Sequence, residues 1–591
     1  MNETNKLTST RRRFLEQTGL AAAACWYPSL IAATEASAAP AIGRQDAADV
    51  LIVGGGLGGC AAALAATRMG ARVVMTEPTD WIGGQLTQQA VPPDEHSWIE
   101  SFGSPTSYRK LRDGIREYYR LHRPLKPGAK TRANLDPGDG VVSRLCHEPR
   151  VALAVLDEML APAVKKGLLT ILLNTKPIGA DVEGDSVRAV KFLSGTDQKE
   201  VIVEADYFID ASEEGDLLPL TGTEYVTGSE SRKETGEPSA GDEARPDNMQ
   251  SFTWCYAIDY LPGEDHTIDK PTMYDFWQKH VPPLTPAWPG RLLALHYSSP
   301  WTNKPQGLGF APRAAGQRKP SVQGLNLWLY RRIINEDNFE KGTYPSDITV
   351  VNWPQNDYML GNVIDVSPEE REKHLEGSRQ LSLSLLYWLQ TAAPRRDGGT
   401  GWKGLRLRKD VVGTEDGLAK YPYIRESRRI KAELTILEQD IDTRGGERRR
   451  IGESWVARSF EDSVGVGHYS MDLHPSSGGD NYHHTGAAPY QIPLGALIPQ
   501  RVNNLIAACK NIGTTHLTNG AFRLHPTEWG IGEAAGALAA YCLAGGQTPR
   551  AVRNNPKHLR SFQDLLTNAG VELDWTKLES PIQGRGRDTW R

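Results

Sequence analysis

Cysteine is scarce and scattered: the 591 residues include six, at positions 25, 60, 146, 255, 509 and 542, with no CxxC pair among them. That spacing provides neither a zinc-ligand set nor a CxxCH heme attachment, and it specifies no disulfide framework. CHE at 146–148 is too compact to serve as one ligand set, so no metal is expected. An excess of one charge is also lacking. With 67 basic and 72 acidic residues the net charge is −5, which gives no general attraction to nucleic acid or anionic membrane. The local basic runs ERRR (447–450) and GLRLRKD (404–410) read as solvated faces. Long apolar runs are missing too, since the stretches 51–67 and 531–545 are rich in Gly and Ala, and no stable membrane span is expected.

What is present begins with the first 39 residues. TRRRFLEQ places Arg11 and Arg12 ahead of the short apolar GLAAAACWYPSLIAA, and ASA at 36–38 has the small residues a signal peptidase accepts. The pattern reads as a twin-arginine signal: export in folded form by that translocation machinery, to the periplasm or beyond. A membrane anchor fits less well, because the apolar part is short and interrupted by Pro28; lipid attachment at Cys25, which follows AAA, is the lesser alternative.

The strongest local pattern is DVLIVGGGLGGCAAALAATRMGARVVMTE, 49–77. An apolar strand runs into Gly54, Gly56 and Gly59 in GxGxxG spacing, with Gly58 beside them, then a small-residue helix and a second strand ending at Glu77. In such a unit one glycine permits the turn, one lets backbone approach a pyrophosphate, and one lets helix pack on sheet. The phosphates are expected at the helix N-terminus. The Glu77 carboxylate is placed to accept the two hydroxyls of an adenosine ribose.

PTDWIGGQLTQQ (78–89) follows directly, a second close-approach loop. Here the chain resembles the FAD-dependent oxidoreductases of the glutathione-reductase-like superfamily, and within it the family that carries a WIGGQLT-like segment. The resemblance implies FAD, with Gly83, Gly84 and Gln85 running along the pyrophosphate and ribityl chain. FIDASEEGD (208–216) resembles the family's DAT-x-x-GD segment, implying a flavin contact at the Ala211 and Ser212 backbone and leaving Asp216 as a helix cap. The fold expected is α/β: a Rossmann-like FAD-binding domain with an inserted α+β substrate domain. The expected divisions are the signal over 1–39, FAD-binding parts over 48–227 and 489–548, the insert and junction over 228–488, and a C-terminal extension over 549–591.

Within the insert, SFTWCYAIDY reads as a strand and 367–392 as a helix with an acidic first turn. PYIRESRR (422–429) resembles another family block; its arginines must pair or meet an anion, and the resemblance implies a place at the domain junction where Arg425 or Arg429 helps shape the active-site cavity, a structural ion-pair network being the alternative. GHYSMDLHP offers His468, Asp472 and His474. Their near-alternate spacing allows metal binding, which is the minor reading; the resemblance implies that they face the substrate cavity.

The stretch 489–546 resembles the family's returning half, in which NLIAAC is the last core strand and GIGEAAGALAAYCLAGG a helix that approaches the flavin closely. Asn511 and Gly532 join the expected cofactor contacts. Ala508-Cys509-Lys510 stands where the family pattern has AGR. Between strand and helix, His516, Arg523 and His525 are expected on loops beside the isoalloxazine. An imidazole suits a proton acceptor there and a guanidinium suits an anchor for a carboxylate or oxyanion. Purely structural roles remain the alternative: Arg523 pairing with Glu528 or Glu533, His516 donating to the flavin.

The function expected is oxidation of an organic small molecule by hydride transfer to flavin N5, with oxygen, a quinone or a redox protein as electron acceptor. Alternatives are a reductase of the fumarate-reductase type, a non-redox flavin-dependent lyase, isomerase or hydratase, and a flavin-binding protein without catalysis.

Overall fold

Where the sequence is apolar without alternation, the strands meet in the parallel part of one mixed sheet. The computed structural model describes residues 48–578, apart from 196, 314, 318–323 and 453, so the expected signal lies outside the described residues. Strand β1 (Ala48–Val53) leads through helix α1 (Leu57–Arg68) to β2 (Val73–Thr76), its parallel neighbour. Helices α2 (Thr106–His122) and α3 (Pro149–Lys165) follow, then β3 (Leu169–Leu172) beside β2.

A meander comes next: β4 (Thr175–Glu183), β5 (Ser186–Ser194) and β6 (Lys199–Asp210). β6 serves two environments. Its first half alternates exposed and covered residues and pairs antiparallel with β5; Phe208, Ile209 and Asp210 at its end are all buried and pair in parallel with β1. Alternation suits one wet face, and a continuous run suits a strand covered on both.

The insert is β-rich. Four short strands, β7 (Tyr256–Tyr260), β8 (Arg332–Ile334), β9 (Ile348–Val351) and β10 (Leu405–Leu407), form a sheet in the order β8-β9-β7-β10. SFTWCYAIDY is divided, with separate strands at Phe252–Thr253 and Tyr256–Tyr260. Between them the backbone turns to other partners: the Trp254 carbonyl accepts from Ser382 Oγ at 2.7 Å and that of Cys255 from the Ala419 amide at 2.7 Å. Helix α4 (Pro368–Thr391) starts as expected, with Ser367 accepting from the Glu370 amide and Glu369 and Glu370 in the first turn. Strands β11 (Met471–Leu473) and β12 (His483–Thr485) pair antiparallel and set Asp472 opposite His484.

The chain then returns to the first sheet. β13 (Leu505–Ala507) lies parallel to β6 on the side away from β1. Helix α5 (His516–Phe522) and helix α6 (His525–Gly545) follow. Helix α6 starts earlier than its glycines suggest, and His516 and His525 are first helical residues rather than loop residues. Thr515 caps α5 by accepting from the Thr518 amide, while Pro526 stands in the first turn of α6.

Helix α6 lies against α1 almost backbone to backbone. A Cβ on Gly532 would stand 2.1 Å from the Gly58 carbonyl oxygen, and one on Gly536 2.1 Å from that of Ala62. Gly532, expected at the cofactor, is thus a packing residue that joins the two halves of the fold.

Asp216 also differs from expectation. It stands at the N-cap of the short helix 217–220 without a side-chain cap bond. Asp210 does the capping: its Oδ2 accepts from the Leu217 amide at 3.1 Å and its Oδ1 from Ser212 Oγ at 2.6 Å. All five cysteines among the described residues are buried free thiols, and no helix there is long and apolar enough to cross a membrane.

Candidate active site

Two sets of buried polar groups meet around the β13–α5–α6 segment. The first is a cradle at the tips of β1, β2 and β6. Gly54 has φ +104°, and a Cβ there would stand 2.3 Å from the Ala211 oxygen, so only glycine lets these strand tips touch. Glu77 Oε2 accepts from the Gly55 amide at 3.1 Å, and Oε1 from the Thr79 amide and hydroxyl at 2.9 Å each. Burial pushes the Glu77 carboxyl up to about 8 against those bonds. The Gly83 amide donates to the Gly55 carbonyl at 2.7 Å, which brings the GGQ loop onto the turn. Gln85 Nε2 reaches the Arg523 carbonyl at 2.9 Å and Glu528 Oε2 at 2.5 Å.

The Gly58 amide, expected to face phosphate, donates to Glu528 Oε1 at 3.2 Å, so α6 takes up one donor at the start of α1. A Cβ on Gly59 would stand 2.0 Å from the Gly54 oxygen, and one on Gly58 1.8 Å from the Ala508 oxygen; both are close-packing positions. Asn511 ties β13 to β6 by accepting from the Cys509 amide at 3.1 Å and donating to the Asp210 carbonyl at 3.0 Å. Lys510 is buried and pairs with Glu213.

A narrow cleft opens along this cradle, bordered by Gly54, Gly56, Glu77, Ala211, Ser212 and Glu213. Thr76 Oγ1, Gln85 Oε1 and Glu213 Oε1 are buried along the same track without a hydrogen-bond partner. Orphaned polar atoms beside an open backbone turn are what a dinucleotide satisfies when it binds. The residues present therefore fit FAD, with the Gly54–Gly56 turn, Glu77, the Gly83–Gln85 loop and the Ala211 backbone as its holders.

The second set is made of side chains from five distant segments. His474 Nδ1 lies 2.7 Å from Asp357 Oδ2, and His474 Nε2 3.7 Å from Asp472 Oδ2. Asp472 Oδ1 lies 3.2 Å from His484 Nδ1. Burial opposes ionisation of Asp357, but Arg425 and His474 outweigh it and hold the carboxyl down at about 2. Arg425 spends its fork on that support, donating to Asp357 Oδ1 at 2.9 Å, the Ser251 carbonyl at 2.8 Å and Thr253 Oγ1 at 2.9 Å. It props the His474 partner.

Arg523, the residue capping the end of α5, donates to Tyr423 Oη at 2.7 Å and to the Asp472 carbonyl at 3.1 Å. It pairs with neither Glu528 nor Glu533, the latter being taken by Arg68 at 3.0 Å. Gly520 permits this: a Cβ there would stand 2.8 Å from the Asp472 amide nitrogen, so α5 lies directly on β11.

The remaining histidines are used differently. His516 Nδ1 sits 2.9 and 3.0 Å from the two oxygens of Glu426, which Arg429 also holds. Burial disfavours the imidazolium, but Glu426 outweighs it and raises the His516 pKa. His525 has both ring nitrogens in backbone bonds: Nδ1 accepts from the Asp94 amide at 3.1 Å and Nε2 donates to the Val91 carbonyl at 3.3 Å. Burial, with Arg331 nearby, holds it neutral, and it fastens the loop that carries Asp94 instead of presenting a base. His468 packs among aromatic rings, 5.2 Å from Trp98 and 6.4 Å from Trp575. No metal-holding cluster of three or more His, Cys, Asp or Glu occurs among the described residues.

Sequence reasoning missed Asp94, Asp357, Arg331 and the tyrosines around them. The Tyr330-Arg331-Arg332 run inside an otherwise apolar segment was the one available signal.

A flavin cradle split by a long insert defines a class, and comparison with known proteins places the chain in it. Residues 49–566 match the model of the FAD dependent oxidoreductase family, and the chain belongs to that family. Known structures are similar only distantly. A geranylgeranyl bacteriochlorophyll reductase-like protein from Thermoplasma acidophilum shares 11% identity over 89% of this chain and 84% of its own, with a TM-score of 0.27. The myxobacterial chondrochloren halogenase shares 17% over 37% of this chain and 46% of its own, TM-score 0.20. The glycerol-3-phosphate dehydrogenase from Bacillus halodurans shares 12% over 36% and 40%, TM-score 0.22. This chain thus spans less than half the length of the latter two. No protein of curated function matches it.

Proposed function

We propose that the protein is exported folded and oxidises an organic small molecule by hydride transfer to flavin N5, its electrons then passing to oxygen, a quinone or a redox protein. Bound FAD supplies the hydride acceptor, and Glu77 takes the adenosine ribose hydroxyls. The observation that carries the reading is the Asp357–His474 pair at 2.7 Å, with the second imidazole nitrogen 3.7 Å from Asp472 Oδ2, an oxygen that lies 3.8 Å from Arg523. Asp357, ionised and held by Arg425, keeps the Nδ1 proton of His474 in place, which leaves Nε2 as the acceptor for the substrate proton. Arg523 holds the substrate, its position fixed by Tyr423 and by the packing of α5 on β11. The insert, 228–488, is the substrate domain in this reading. The export proposal draws on Arg11 and Arg12 and on the need to load FAD before translocation.

Anaerobic mixing of the yellow holoenzyme with alcohols, amines and hydroxy acids tests the reading. A substrate should bleach the flavin, and His474→Asn should slow bleaching about 100-fold at unchanged flavin content. Turnover of a compound with no flavin reduction at any stage would instead mark lyase, isomerase or hydratase chemistry.

A second reading, substrate reduction, draws on His516, whose raised pKa suits a proton donor. Reoxidation of dithionite-reduced enzyme by an unsaturated acid, lost in His516→Ala, would favour it.

A further inference from the structure

Arg331 is a buried guanidinium without a good acceptor. Its nearest ones, the Pro92 carbonyl at 3.4 Å and Asp94 Oδ2 at 3.5 Å, lie beyond the reach of about 2.7–3.2 Å of a well-made N–H···O bond. Its Nε is buried with no partner at all, and so is that of Arg523. The two arginines share their surroundings: each acts on Asp94, and both have Tyr423 and Tyr469 as electrostatic neighbours. Arg332 is better matched, donating to Asp347 Oδ2 at 2.9 Å and to the Gly138 carbonyl at 2.7 Å, and Arg425, whose Nε also lacks a partner, has four other bonds of 2.8–3.2 Å. Leaving buried guanidinium N–H groups unmatched is costly, and the protein keeps two such groups around the same Asp94.

From this we infer that the substrate is a small organic acid, its carboxylate held between Arg331 and Arg523. The inference rests on the oxidoreductase reading above and names the substrate class of that same site. A carboxylate offers the planar acceptor pair a guanidinium fork matches. The ring of groups also limits the charge. Asp94 and Asp472 offset the two arginines, so a monoanion arriving with one proton leaves the balance unchanged, whereas a dianion meets two aspartates. Burial raises the Asp94 pKa, which makes it a ready site for that proton. Tyr330 and Tyr469 are half-buried at the same place, and burial keeps both hydroxyls protonated as donors. An uncharged alcohol or amine would bring a single acceptor group and no charge to the two guanidinium forks.

The test is a spectral titration of oxidised holoenzyme, under anaerobic conditions, with acetate, lactate and pyruvate against lactamide, 1,2-propanediol and inorganic phosphate. The monocarboxylates should perturb the flavin band with saturation, and the neutral analogues and phosphate should not. Arg331→Met and Arg523→Met should each weaken carboxylate binding about 10- to 100-fold, the loss of one or two charge-assisted bonds, at full flavin content. Arg331→Lys guards against misfolding, and it should bind carboxylate better than the Met variant. Equal binding of lactate and lactamide, or undiminished carboxylate binding in Arg331→Met, overturns the clamp. A neutral alcohol that bleaches the flavin while no carboxylate binds leaves the oxidoreductase reading and removes the clamp. Carboxylates that bind through both arginines, with no compound ever reducing the flavin, do the reverse.

Discussion

The cradle for FAD and the polar cluster around Arg523 are built by opposite means. In the cradle the contacts are made by backbone, and the residues that matter are glycines and one acid within 49–85, where spacing along the chain fixes spacing in space. In the cluster the contacts are made by long charged side chains from residues near 94, 331, 357, 425, 472 and 523, which meet only once the insert has folded over the nucleotide sheet. The first site tolerates no added atoms; the second tolerates no missing partner. Substitution should therefore harm them in different ways, adding volume in one and removing charge in the other.

The largest effect is expected from Asp357→Ala. It leaves Arg425 buried without its carboxylate and should destabilise the fold by about 3–5 kcal/mol, read by urea denaturation. The same carboxyl sets an acid limit. Its folded pKa, about 2, lies below its unfolded value, so its contribution is present above about pH 4 and is lost as pH falls through about 2. Arg425→Leu should lose that acid dependence.

Gly532→Ala is the matching test of the cradle, in which one methyl must enter where the Gly58 oxygen stands. A loss of about 3 kcal/mol in stability is expected, accompanied by loss of flavin. Unchanged stability would mean that α1 and α6 are not held as closely as 2.1 Å implies.

Glu77→Gln should weaken FAD by about 2 kcal/mol without unfolding the protein, read by flavin titration of apoprotein. Glu77 adds a pH signature. Its carboxyl titrates at about 8 in the protein without flavin, and ribose hydroxyls favour the ionised form. FAD affinity should rise with pH up to about 8 and then level off, and Glu77→Gln should flatten that rise.

The smallest effects separate Asp210 from Asp216. Asp210→Ala removes the bond to the Leu217 amide and should cost about 1 kcal/mol. Asp216→Ala, which breaks no cap bond, should change stability by less than about 0.5 kcal/mol in a thermal melt.

Much was legible in the sequence where one element decides its own contacts. Gly54, Gly56, Gly59 and Glu77 belong to one strand–helix–strand unit, so periodicity and glycine spacing were enough to place the sheet, its parallel order and the FAD cradle. The acidic first turn of α4 and the two-part character of the fold were readable for the same reason. The partners of His516, His525, His474 and Arg523 were not. Four residues of similar chemistry in neighbouring segments end as an ion pair, a neutral backbone tie, a carboxylate-held imidazole and a tyrosine-held guanidinium. Their partners Glu426, Asp94, Asp357 and Tyr423 lie 90, 431, 117 and 100 residues away in the chain. Burial and the nearest charge set the state of a titratable group, and neither is a property of the residue or its neighbours in sequence. The sequence determined the family, the cofactor and the sheet; which histidine is held by a carboxylate, and which arginine meets its acid only at long range, was decided only when the insert closed onto the strand tips and took those side chains out of water.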